Sequence, residues 1–146
     1  MKNFAKSLLL VLAVVTLSVT NVKAQTINGI LQADPASLEF QTTVGTPVTK
    51  IVKLLVLNQE ELSRLTSPLL DVRIEGTNAD QFSIDANTVT IIDILESVIT
   101  GKPVDIEVTY NPTETGTHFA TLVIGLPRIL GLNVVLVNVE LTGTAN

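Results

Sequence analysis

The chain has 146 residues, a net charge of −5 and no cysteine. The acidic balance argues against a nucleic-acid-binding face, which needs clustered positive charge, and disfavours electrostatic attachment to anionic lipid. Without a thiol there is no disulfide, no cysteine nucleophile and no cysteine-held metal, and a single histidine adds little to any metal site.

Residues 1–24 read as a separate object. Lys2 and Lys6 give a basic start, Leu8 to Val15 is an unbroken apolar run, and Val22-Lys23-Ala24 supplies small residues before Gln25. This is the pattern of a secretory signal peptide cut after Ala24. The apolar run is too short for a membrane-spanning helix; the other reading is an uncleaved N-terminal anchor. Cleavage removes three lysines and no acid, so the remaining 122 residues carry −8. The expected destination is the periplasm or the extracellular space, with residues 25–146 as one domain held by core burial alone.

Val, Ile, Leu and Thr dominate residues 25–146, and turn signals recur at short intervals. That rhythm predicts an all-β sandwich or barrel. In chain order the predicted strands are Ser37–Gln41, Val48–Asn58, Leu69–Glu75, Phe82–Ile84, Thr88–Ile94, Val104–Tyr110, Thr117–Ile124 and Val134–Leu141. Gln59–Leu65 has helical composition. Between two of the strands, Asn111-Pro112-Thr113-Glu114-Thr115-Gly116 reads as a corner. Pro112 cannot donate to a ladder and holds Asn111 extended, and Gly116 permits a positive φ. Period two puts Ile106, Val108 and Tyr110 on one face, and Ala120, Leu122 and Ile124 on one face.

Four segments carry a resemblance: "ADPASLEFQTTVGTPVTKIVKLLVLN", "IEGTNADQFSI", "VTYNPTETGTHFATLVI" and the closing "VELTGTAN". In this order, over Ala33 to Ala145, they resemble the choice-of-anchor D domain of secreted bacterial proteins, which belongs with the hydin-like and abnormal-spindle-like immunoglobulin domains. The chain departs at Ala145, where that family has glycine, at His118, where an aromatic is common, and in the unusually apolar run Leu126 to Leu132. The resemblance implies an all-β, immunoglobulin-like sandwich of about seven to nine strands, used as a non-catalytic module, and implies no catalytic residue.

The residues themselves point the same way. His118 has no nucleophile elbow around Ser83 or Ser97 and reads as a strand residue at a sheet surface or core edge. Asn78, Asp80, Asp85 and Asn87 carry oxygen ligands at a spacing calcium could use, but they match no EF-hand loop and Asx residues are default turn formers. Asp71, Glu75, Asp105 and Glu107 alternate with apolar residues and read as a solvated strand face. No cofactor is expected.

The apolar excess is more informative. With Val52, Leu54 and Val56 facing the core, Ile51, Leu55 and Leu57 face outward, and Phe119 and Val123 lie opposite Leu122 and Ile124. Either Thr26–Gln32 or Gln59–Leu65 covers these faces, or a second molecule does. The candidate interaction surface is Phe119, Val123, Leu126, Ile129, Leu130 and Leu132, the last four in an apolar loop that either closes the end of the sandwich or meets a partner. The leading functional expectation is an exported module acting by protein–protein contact. The alternatives are a self-assembling structural subunit and a weak glycan or small-ligand binder, the last disfavoured by a single tyrosine and few phenylalanines.

Intact-mass measurement of the exported protein is expected to give a chain beginning at Gln25. Retention of Met1 in the exported protein would overturn the leader assignment.

Overall fold

The computed structural model describes residues 25–64, 70–85, 96, 100–128 and 132–146. The expected leader, residues 1–24, and the expected strand Thr88–Ile94 lie outside the described residues. The elements run β1 (Gln25–Thr26), β2 (Leu31–Asp34), β3 (Ser37–Thr42), β4 (Val48–Val56), α1 (Gln59–Ser63), β5 (Asp71–Glu75), a 3₁₀ turn (Ala79–Gln81), β6 (Phe82–Ile84), β7 (Val104–Tyr110), β8 (Gly116–Gly125) and β9 (Val134–Ala145).

They form two layers. One sheet has the order β2-β4-β7-β6, all antiparallel. The other has the order β5-β8-β9, with β1 and β3 both paired parallel to β9 at different places along its length. This strand order, with its first long strand split between the two sheets, is that of an immunoglobulin-like β-sandwich.

Two strands were not among those expected. β1 and β2 are short pieces from Gln25–Asp34, a stretch whose apolar alternation is brief. β4 ends at Val56 instead of Asn58, because Asn58 turns to cap α1: its Oδ1 accepts the Glu61 N–H at 3.1 Å. The helical composition after it yields α1, whose Leu62 is fully buried. The expected corner holds. Gly116 has φ of +125°, and the Pro112 carbonyl accepts the Gly45 N–H at 2.8 Å. Gln81 clamps the corner: its Oε1 accepts the Thr113 N–H at 2.7 Å and its main-chain carbonyl accepts the Asn111 N–H at 2.9 Å.

Period two sets the core. Val52 and Leu54 of β4, Ile106, Val108 and Tyr110 of β7, and Ala120, Leu122 and Ile124 of β8 all point inward and are buried. Leu38 and Phe40 of β3 and Val139 and Leu141 of β9, in the same sheet as β8, meet the β4 and β7 residues from the other layer. On β9 the simple alternation fails. Ile124 pairs with Val137, but Gly125 pairs with Val135, so Leu136 is an extra residue. Beyond this bulge the two faces exchange, and adjacent Val135 and Leu136 are both buried. Gly125 is required there, since a Cβ on it would lie 2.1 Å from the Val134 carbonyl oxygen.

Leu122 is fully buried within this core. Leu122→Ala is expected to cost about 2–5 kcal/mol in denaturant unfolding, from lost transfer energy and the cavity left behind. A change below about 0.5 kcal/mol would mean that the inner face of β8 is loosely packed.

Candidate functional site

His118 sits on the inner face of β8, in register with Gly143 of β9, and is 3% exposed. Its Nδ1 lies 2.6 Å from the Tyr110 hydroxyl, and its Nε2 lies 3.8 Å from Glu114 Oε1 at the rim. The histidine is thus a buried polar group satisfied across the sandwich, deeper than the surface or core-edge position that alternation alone allowed. Gly143 makes room for this pair: a Cβ there would fall 2.4 Å from two carbons of the Tyr110 ring. Among the described residues no serine faces His118. Ser83 is exposed on β6 in the other sheet, and Ser97 lies outside the described residues. Chemically the Tyr110–His118 pair is a structural hydrogen bond.

The oxygen-bearing residues around Phe82 are dispersed into local bonds. Asn78 Oδ1 accepts the Phe119 N–H at 3.0 Å, and Asp80 Oδ2 accepts from the Gln81 amide at 3.0 Å. Asp85 is exposed after β6, and Asn87 lies outside the described residues. Among the described residues no three acidic, histidine or cysteine groups converge on a metal position.

The alternating acids divide between the sheets. Asp105 and Glu107 lie on the outer face of β7, where Asp105 is 3.9 Å from Lys53. Both partners there are about half exposed, so this pair contributes at most about 1 kcal/mol. Asp71 and Glu75 instead flank Arg73 on the outer face of β5. Arg73 donates to Asp71 Oδ2 at 2.8 Å, to Glu75 Oε1 at 2.7 Å and to Asn133 Oδ1 at 2.6 Å, with its side chain only 15% exposed. Arg128 also pairs with Glu75. These bonds tie both flanks of the apolar loop, Arg128 before its tip and Asn133 after it, to β5. The signal was present in Asp71-Val72-Arg73-Ile74-Glu75, because period two puts all three charges on one face.

The candidate interaction surface is spread along β8. Phe119 is 59% exposed, whereas Val123, beside Arg73 in the β5–β8 register, is 4% exposed. Leu126 packs against the core, Leu132 is 38% exposed, and Ile129 and Leu130 lie outside the described residues. Six strand positions separate Phe119 from Gly125, where the loop begins, or roughly 20 Å at 3.4 Å per residue. Phe119 and the loop therefore stand at opposite ends of the strand. On the other sheet Ile51 and Leu55 are 45% and 40% exposed on the outer face of β4, with Leu57 beyond them. Neither proposed internal cover reaches them: the N-terminal segment adds β1 and β2 to sheet edges and sends Ile30, Leu31 and Ala33 into the core, and α1 buries Leu62 there.

Burial pushes the Tyr110 phenol above its ordinary value of 10.0. The folded state therefore favours the neutral phenol. Its contribution to stability is fully present below pH 10 and is lost as pH rises through the raised value. Tyr110 is the only tyrosine, so phenolate absorbance reports on this group alone. The titration of the folded protein is expected to have its midpoint above 10.0 and to fall to the ordinary value in denaturant. A folded-state midpoint at or below that value would place the ring in water.

No family model matches the chain, and no curated protein matches it. Among solved structures, it is similar to the ASH/PapD-like domain of human CEP192 (PapD-like domain 7), at 10% identity over 81% of this chain and 86% of that one, with a TM-score of 0.46. It is also similar to domains 4 and 5 of the S-layer protein SbsC, at 12% identity and a TM-score of 0.41, over 79% of this chain but only 50% of that one. A third is WR4, a C. elegans MSP family member, at 6% identity over 81% of this chain and 99% of that one, with a TM-score of 0.40. The immunoglobulin-like assignment itself stands on strand order and register.

Proposed function

We propose that this chain is an exported, non-enzymatic immunoglobulin-like module that acts by protein–protein contact at or outside the cell envelope, related to the choice-of-anchor D domains. The observation that carries the reading is the outer face of β4. Ile51 and Leu55 lie two positions apart on that face with Lys53 between them. In register beside them stand Glu107, Asp105 and Gln32. Exposed aliphatic side chains within a polar rim are the anatomy of a contact surface. Phe119, on the outside of the opposite sheet, is a second point of contact. The non-enzymatic part is supported by the position of the only histidine, which is buried and hydrogen-bonded to Tyr110.

Ile51→Asp combined with Leu55→Asp tests the surface. Both side chains are exposed, so the fold is expected to hold, with each change near the ±0.5 kcal/mol typical of surface positions. Chemical cross-linking in the exporting cell is expected to join the wild-type chain to another protein and the double variant to none. Sizing the purified chain over a range of concentrations separates the alternative: polymers that grow with concentration identify a self-assembling subunit. Cross-links that persist unchanged in the double variant would refute this surface.

A further inference from the structure

The first long strand of the sandwich divides between the sheets, and this leaves an open corner. β2 pairs with β4 only from Val56 back to Lys53; after Asp34 the chain crosses to the other layer and continues as β3 against β9. The half of β4 from Val48 to Val52 therefore has no strand on that side among the described residues.

Hydrogen-bond parity identifies the free groups. The Leu57 N–H donates to the Ile30 carbonyl, so the odd residues of β4 turn their backbone toward the β2 lane, and beyond Lys53 these are Ile51 and Thr49. On β3 the Ala36 and Thr42 carbonyls accept from Glu140 and Asn146. Even residues thus face β9, and Glu39 and Gln41 turn their backbone groups to the open edge. Beside these edges, against β3 and β9, lies a groove of about 560 Å³ lined by Glu39, Phe40, Gln41, Thr142 and Thr144, with Val48 and Lys50 of β4.

Lys50 occupies an unusual place in it. Register sets it opposite Val108, on the core side of β4, where the neighbouring inward residues are Val52 and Leu54. Its stem passes over the Phe40 ring, with Nζ 5.6 Å from the ring centre, and Nζ donates to the main-chain carbonyl of Glu39 at 2.5 Å. No salt bridge joins it to a carboxylate among the described residues. An inward lysine at an open edge disfavours pairing with other strands, and a carboxylate on an incoming strand would offset that charge.

We propose that the open edge of β4, together with the groove beside it, docks an extended peptide segment carrying a carboxylate. The segment continues the lane of β2, hydrogen-bonds to the free backbone groups of Thr49 and Ile51, and sets its carboxylate on Lys50 in place of the Glu39 carbonyl. Backbone pairing supplies general affinity and the lysine supplies selection, the division of labour in strand-addition binding. The proposal deepens the protein-contact reading and rests on it, adding a strand edge to the outer face of β4.

The probe is a displayed library of random short linear peptides, panned against the domain from residue 25 to 146 and followed by synthesis of the enriched sequences. Enriched peptides are expected to carry Asp or Glu and to shift the Thr49 and Ile51 amide resonances. They should lose about tenfold or more in affinity for Lys50→Gln, since a charge-assisted bond is lost, and keep it for Lys50→Arg. N-methylation of alternate peptide amides should abolish binding. Thermal melts of each variant confirm folding. Absence of enrichment, affinity indifferent to Lys50→Gln, or shifts confined to the outer faces would each overturn the proposal. Loss of cross-links in the Ile51→Asp, Leu55→Asp variant alongside any of those results leaves the general protein-contact reading standing.

Discussion

Two sheets without a disulfide are held together by the apolar core between them, and within that core Tyr110 is the side chain that touches most of the structure across the gap. Its ring projects from β7 across the layer gap, with centroids 5.7 Å from Phe40 of the opposite sheet and 4.9 Å from Phe82 of its own. Its hydroxyl reaches His118 on β8, and its ring fills the space that Gly143 leaves on β9. Each aromatic pair adds about 0.5–1.5 kcal/mol beyond area burial. Leaving His118 without its partner would add the cost of an unsatisfied buried polar group, about 1–3 kcal/mol. One residue thus joins both sheets, and the corner from Asn111 to Gly116 that follows it determines how β8 returns.

The division of the first strand follows from the same geometry. β2 completes one sheet and β3 the other, so each layer gains an edge from a single passage of chain. The cost is that neither edge is paired along its full length among the described residues. The chain answers with polar side chains: Lys50 reaches across the opening to the β3 backbone. At the far end Arg73 gathers Asp71, Glu75 and Asn133, so that the stretch after β8 is tied down by charge-assisted bonds as well as by Leu126 in the core.

What remains at the surface is uneven. The outer face of β7 is charged, as water requires, but that of β4 shows Ile51 and Leu55, and β8 shows Phe119. Scattered apolar side chains need no explanation in a soluble domain. Two on one face of one strand, beside a row of acids and next to an open strand edge, form a surface with a direction. The buried polar groups, by contrast, are consumed: no buried side-chain nitrogen or oxygen among the described residues lacks a partner.

The sequence by itself determined the class of fold, the corner and the inward faces of β4, β7 and β8, because period two and turn chemistry are local properties of ten-residue stretches. It also determined that Ile51 and Leu55 would face away from the core. Tertiary structure alone decided the rest. β1 and β2 were invisible because strands of two and four residues carry too few alternations, and each exists only through pairing with a distant segment. The bulge at Leu136 overrode strict alternation on β9, and Gly125 explains it only once Val134 is seen to approach. His118 could not be placed from its own neighbours, since its partner Tyr110 and the gap at Gly143 come from two other strands. The candidate surface separated for a reason of length: residues six apart are close in sequence but stand about 20 Å apart on an extended strand. Lys50 reads in sequence as one more strand lysine, and only the crossing of the chain after Asp34 gives it an open edge to guard.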